Sequence, residues 1–122
     1  MSKSESVSLD KIKQLLRDFA KDRDWDQFHS PKNLSMALSV EVAEIIEHFQ
    51  WLTEEQSKNL PQNKLKEVEA ELADTFIYLV RLADKLGVDL LYAAENKIKL
   101  NEQKYSVDKA KGNAKKYTEL DK

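Results

Sequence analysis

Apolar side chains return at helical intervals along most of this 122-residue chain, and two acidic pairs interrupt them. Leu9, Ile12, Leu15, Leu16 and Phe19 form one stripe, which predicts a first helix from Leu9 to Arg23 with Ser8 as its N-cap. The polar and aromatic segment DWDQFHSPKN breaks the pattern, and a second helix is predicted over Leu34 to Leu52. TEEQSKNLPQN makes the next break. A third helix over Lys64 to Leu86 stops at Gly87, and Asp89 caps a fourth that extends to Lys104. With two glycines, two prolines and no sustained alternation of strand type, the pattern predicts an all-α fold of four antiparallel helices. It divides the chain into a flexible N-terminus (residues 1–8), a helical domain (9–105) and a polar tail (106–122) able to contribute to a site or an interface.

The acidic pairs are Glu41 with Glu44, inside SMALSVEVAEIIEHF, and Glu71 with Asp74, inside EVEAELADTFIYLV. At about 100° per residue, Leu34, Leu38 and Ile45 fall within roughly 60° of Glu41, so that carboxylate points where the core belongs. Glu44 sits on the edge of the same stripe. On the third helix Glu71 and Tyr78 flank Asp74 on one side and Ile77 on the other, while Leu72, Phe76 and Leu79 make the opposite face apolar as well. This helix is expected to be covered on two sides, and apolar residues around both long helices predict a dimer or a dimer of dimers.

A carboxylate in a hydrophobic stripe loses hydration and needs a cation, a proton or donors in return. Four of them in two i,i+3 pairs point to a hard divalent metal, Mg2+ or Mn2+ in its place. A di-iron bundle would need two Glu-x-x-His pairs, which the chain lacks. The bland alternative for each pair is a solvated face or a salt bridge with lysine or arginine, but the Glu41 segment has no neighbouring base.

Net charge narrows the partners. The formal charge of -2, from 20 basic and 22 acidic residues, argues against a nonspecific nucleic-acid coat or an anionic-membrane binder. No cysteine is present, so thiolate chemistry and zinc-thiolate sites are excluded. MSKSESVS lacks the apolar core of a secretory signal, and no stretch approaches roughly eighteen uninterrupted apolar residues, so a cytoplasmic location without membrane is expected. Trp25, Phe28 and His29 precede the second helix and Trp51 ends it, offering flat surfaces for base stacking or ordinary packing. Lys97, Asn101 and Tyr105 share one face of the fourth helix and can address phosphate and sugar oxygens, or simply form a wet face.

These phrases together resemble the all-α MazG-like nucleotide pyrophosphohydrolases, especially their compact dCTP pyrophosphatase branch. The family's Glu-x-x-Glu, gap, Glu-x-x-Asp motif reads EVAE and ELAD, with 26 residues between. RDWDQFHSPKNL, EHFQW, KIKLNEQKY and the tail KAKGNAKKYTEL also look like this branch. The resemblance implies that Glu41, Glu44, Glu71 and Asp74 are metal ligands. It implies that Trp25, His29 and Trp51 line the nucleoside side with Tyr78 beside them, and that Lys97, Asn101 and Tyr105 contact phosphate or sugar. Such sites are assembled from more than one subunit, in dimers or in tetramers made of two dimers. Some animal-type members carry histidine where this chain has Leu16, a departure that bears on base recognition.

The implied reaction is Mg2+-dependent hydrolysis of a deoxynucleoside triphosphate, dCTP or a modified dCTP, to the monophosphate and pyrophosphate. Glu47 is the leading candidate to activate water without coordinating metal, since it lies one turn past Glu44 and about 120° from Glu41; Glu44 is the other candidate. A broader or noncytosine specificity is an alternative, and so is a helical interaction module without activity, which would leave four inward-facing acids without a task.

Overall fold

The computed structural model describes residues 7–120. Most of the segment expected to be a flexible N-terminus lies outside the described residues. Among the described residues seven helices follow one another: α1 (Leu9–Asp22), α2 (Pro31–Phe49), α3 (Glu54–Lys58), α4 (Gln62–Lys85), α5 (Leu90–Lys104), α6 (Val107–Ala110) and α7 (Tyr117–Leu120), with a 3-10 turn at Asp26–Phe28. No strand occurs among the described residues, as the periodicity predicts. The four long helices are the four expected. None of the described helices is long and apolar enough to cross a membrane.

Local chemistry explains where the elements begin and end. Ser8 caps α1 by accepting from the Lys11 amide at 3.1 Å. α2 starts three residues earlier than its apolar stripe, because Ser30 accepts from the Asn33 amide and Pro31, at the first position, has no N–H to leave unpaired. It ends three residues before Leu52, because Thr53 and Gln56 form a reciprocal capping box that opens α3 inside the expected break. Asp89 caps α5 through the Tyr92 amide. The tail holds two short helices, which apolar periodicity is too short-ranged to reveal.

The chain divides into two units, up to Gly87 and from Val88 onward. In the first, α2 and α4 form the principal pair and α1 packs on α4. Interactions step along the α2–α4 seam in opposite directions: Glu41 senses Asp74, Glu44 lies within 4.8 Å of Glu71, and His48 approaches Glu67. The pair is therefore antiparallel. Its core contains Leu34 of α2 with Val68, Val80 and Ala83 of α4, and Ala20 of α1. The second face of α4 is a different matter. Leu72, Phe76 and Leu79 stay exposed in a single chain, as do Met36, Val40 and Ile46 of α2, so one copy does not supply the two-sided cover expected for α4. The second unit consists of α5 to α7.

Candidate active site

The α2–α4 seam brings Glu41, Glu44 and Glu71 together, with one carboxylate oxygen of each within 4.8 Å of the others. Helical spacing puts Glu41 and Glu44 on one side of α2, and the antiparallel register brings Glu71 opposite. One oxygen of Glu41 and one of Glu71 are buried without any hydrogen-bond partner. Burial first, then the hydrogen bond with Glu44 and the charges of Glu44, Asp74 and Glu71, raise Glu41 to about 7. Glu71 is raised as well, chiefly by its hydrogen bond with Glu44 and then by desolvation. Like charges crowded in a poorly hydrated seam resist ionising together. The donor set is all hard oxygen, and its orphaned atoms fit a small divalent cation.

Asp74 stands outside that close group. It lies one turn along α4, exposed, yet near enough for its charge to act on both Glu41 and Glu71. Glu47 is exposed on α2 and also outside the group. His48 lies 4.0 Å from Glu71 and 3.9 Å from Glu67, a neighbour of the acidic seam that the motif spacing alone does not single out.

A cavity of about 220 Å3 opens further along α4, lined by Leu16, Phe19, Trp25, His29, Ile77, Tyr78 and Arg81. Tyr78 follows Asp74 by one turn, a rise of about 6 Å along the axis. The volume is below the roughly 300 Å3 lower bound of ordinary ligand pockets, which suits a single planar ring better than a whole nucleotide. Its aromatic wall is held from below. Asp24 takes a left-handed backbone (φ 55°), and Gln27 donates to both the Asp24 carbonyl and carboxylate. The Trp25 amide returns to Ala20, and Asn33 ties Phe28 to the start of α2. Phe19 meets Trp25 edge to face at 5.6 Å, and the Arg23 guanidinium lies over the Phe19 ring.

Arg81 and His29 of the cavity wall belong to an ion network that helical periodicity does not reveal. Arg81, only 5% exposed, donates to Asp26 and, through Nε, to His29 Nδ1. Lys85 shares Asp26, while Asp84 sits beside Arg81 and forms two short bonds with Arg17. The lysine and arginine hold Asp26 below its ordinary range, and Arg17 does the same for Asp84. The signal was a lone arginine in the apolar run FIYLVRLA.

Trp25, His29 and Tyr78 are thus brought together, whereas Trp51 is 86% exposed at the end of α2 and is not among the cavity's lining residues. Lys97, Asn101 and Tyr105 lie on α5 at the expected spacing, within the second unit.

The MazG-like family model matches residues 36–120. The chain belongs to the MazG-like family. It is 43% identical to dCTP pyrophosphatase 1 of Mus musculus over 119 residues, 96% of this chain and 70% of that protein. The Homo sapiens dCTP pyrophosphatase 1 is 40% identical over the same shares. A crystal structure of a pyrophosphatase from Archaeoglobus fulgidus superposes with a TM-score of 0.76 at 36% identity, covering 80% of this chain and 92% of that one. The family match takes in both acidic pairs of this MazG-like chain but starts beyond Leu16, Trp25 and His29. Likeness over those residues rests on the longer alignments with the dCTP pyrophosphatases.

Proposed function

We propose that this chain is a deoxynucleoside triphosphate pyrophosphohydrolase acting on dCTP or a modified dCTP with Mg2+, for which Mn2+ can substitute. The observation that carries the reading is the pairing of a cation-hungry carboxylate seam with a ring-sized aromatic cavity about two helical turns along α4 from Glu71. The 43% identity to a dCTP pyrophosphatase supports the base.

Glu41, Glu44, Glu71 and Asp74 would hold the metal. When bound, Mg2+ supplies charge neutralisation at the triphosphate oxygens. Trp25 stacks on the base, with His29 and Tyr78 at its edges. Lys97, Asn101 and Tyr105 bind phosphate and sugar oxygens. A water oxygen attacks the α-phosphorus, the bond to the bridging oxygen breaks, and pyrophosphate departs. Glu47, exposed and clear of the carboxylate group, takes the water's proton; Glu44 is the alternative base.

The working form is a homodimer or homotetramer in the cytoplasm. Support comes from the apolar residues that a single copy leaves open on α2 and α4. A second copy would also bring Trp51 to a nucleoside site. The deciding assay is Mg2+-dependent release of pyrophosphate from a panel of dCTP, modified dCTP, dTTP, dUTP and dATP. Pyrophosphate with preference for cytosine nucleotides is expected. Release of phosphate alone, or equally poor turnover of every cytosine nucleotide, would overturn the assignment.

A further inference from the structure

The two nitrogens of His29 meet different surroundings. Nδ1 accepts from Arg81 Nε at 3.2 Å, and Nε2 has no hydrogen-bond partner among the described residues. The same residue lines the cavity together with Trp25 and Tyr78. A guanidinium keeps its hydrogens throughout the working pH range, so the nitrogen it addresses must present a lone pair. In a neutral imidazole, a lone pair on Nδ1 puts the hydrogen on Nε2. Burial, with the charges of Arg81 and Lys85 outweighing that of Asp26, lowers the His29 pKa and keeps the ring neutral.

Arg81 is itself held on several sides. It is buried, shared with Asp26, and flanked by Asp84, which Arg17 holds in turn.

We propose that Arg81 is a positioning residue for base recognition: it fixes His29 as the Nε2–H tautomer, so that the ring offers a donor to an acceptor atom on the base. The identity of the ligand rests on the nucleotide reading above, whereas the tautomer belongs to the free protein. A donor of this kind recognises a ring carbonyl or an unprotonated ring nitrogen. Cytosine carries both side by side, at O2 and N3; thymine and uracil carry a hydrogen at N3. The opposite tautomer would present a lone pair and select an amino group instead.

Ring nitrogen-15 spectra of the full chain at neutral pH, without nucleotide or metal, test the first half directly. Nδ1 of His29 should have the shift of an unprotonated nitrogen and Nε2 that of a protonated one. The reverse pattern, an averaged pair or an imidazolium would overturn the proposal. Arg81→Lys, which retains a donor, should preserve the pattern, and Arg81→Met should convert it to a tautomer mixture. Should Arg81→Met fail to fold, the wild-type spectrum still decides.

Recognition is tested with two amides. His29→Gln can place an amide donor near the Nε2 position, whereas His29→Asn reaches only the Nδ1 position. His29→Asn should raise KM for dCTP about tenfold with kcat nearly kept, the loss of one neutral hydrogen bond, and His29→Gln should recover most of it. Equal KM values for both variants and wild type would overturn the recognition role. A chain with the expected tautomer that hydrolyses no nucleotide overturns base recognition together with the nucleotide reading. Pyrophosphate release with a reversed tautomer overturns the Arg81 proposal alone.

Discussion

Around Glu71, α4 gathers carboxylates beside His48; around Arg81, about three turns later, charges alternate from Arg17 to Asp84, Arg81, Asp26 and Lys85. Both clusters draw ions out of water on the same helix. The second satisfies itself, and its carboxylates titrate low. The first does not, and Glu41 and Glu71 titrate high. Alternation makes a closed structural device, whereas repetition of one sign leaves two oxygens orphaned and creates demand for an outside cation.

The sharpest way to break this contrast is to neutralise one member of each cluster. Glu41→Gln or Asp74→Asn should cut pyrophosphate release by on the order of 100-fold or more while circular dichroism stays helical. Near-normal Mg2+-dependent turnover would remove these acids from the site. Without metal, Glu41→Gln should melt no lower than wild type, since it deletes a repelled charge. Arg81→Met should do the opposite, costing about 1–3 kcal/mol in denaturant unfolding, because a buried donor to His29 and Asp84's neighbouring cation are lost while Lys85 still holds Asp26 and Arg17 still holds Asp84. A loss within experimental error would mean that the network is decorative.

The two clusters also predict opposite pH dependences. Glu41 is raised from 4.5 to about 7, so between those values the unfolded chain gives up its proton first and metal-free stability falls as pH rises. Above about 7 that contribution has gone, and saturating Mg2+ should suppress the decline, with proton release on binding. Asp26 and Asp84 are lowered from 3.8, so their contribution is present above that value and disappears as pH falls through their folded pKa. Melting curves from pH 3 to 9, with and without Mg2+, check both signs. The smallest effect is expected at the aromatic wall: Trp25→Ala should lower the preference for dCTP over dATP by about tenfold, with the loss of one stacking surface. An unchanged preference would assign Trp25 to packing.

Much of this was legible in local text. Leu9 to Phe19 announces α1 because a helix repeats its apolar face within a few residues, and EVAE and ELAD stand out because acids rarely interrupt such a face. α3 escaped, since five residues between caps show no period. Arg81 with Asp26 escaped for another reason. Their pairing spans 55 positions, and only the packed chain brings the 3-10 turn against α4. Trp51 and Trp25 looked equivalent as rings, yet one borders a cavity and the other stands in solvent in a single copy, which composition does not distinguish.

Leu16 lines the cavity from α1, an element that holds none of the clustered acids. Part of the cavity wall therefore sits on a piece of chain separate from the acids, although Ile77, Tyr78 and Arg81 share α4 with Glu71. A library confined to positions 16 and 19 would re-tailor the α1 side of that wall while the clustered acids keep their places, so the shape of the cavity can be varied from a single helix without touching them.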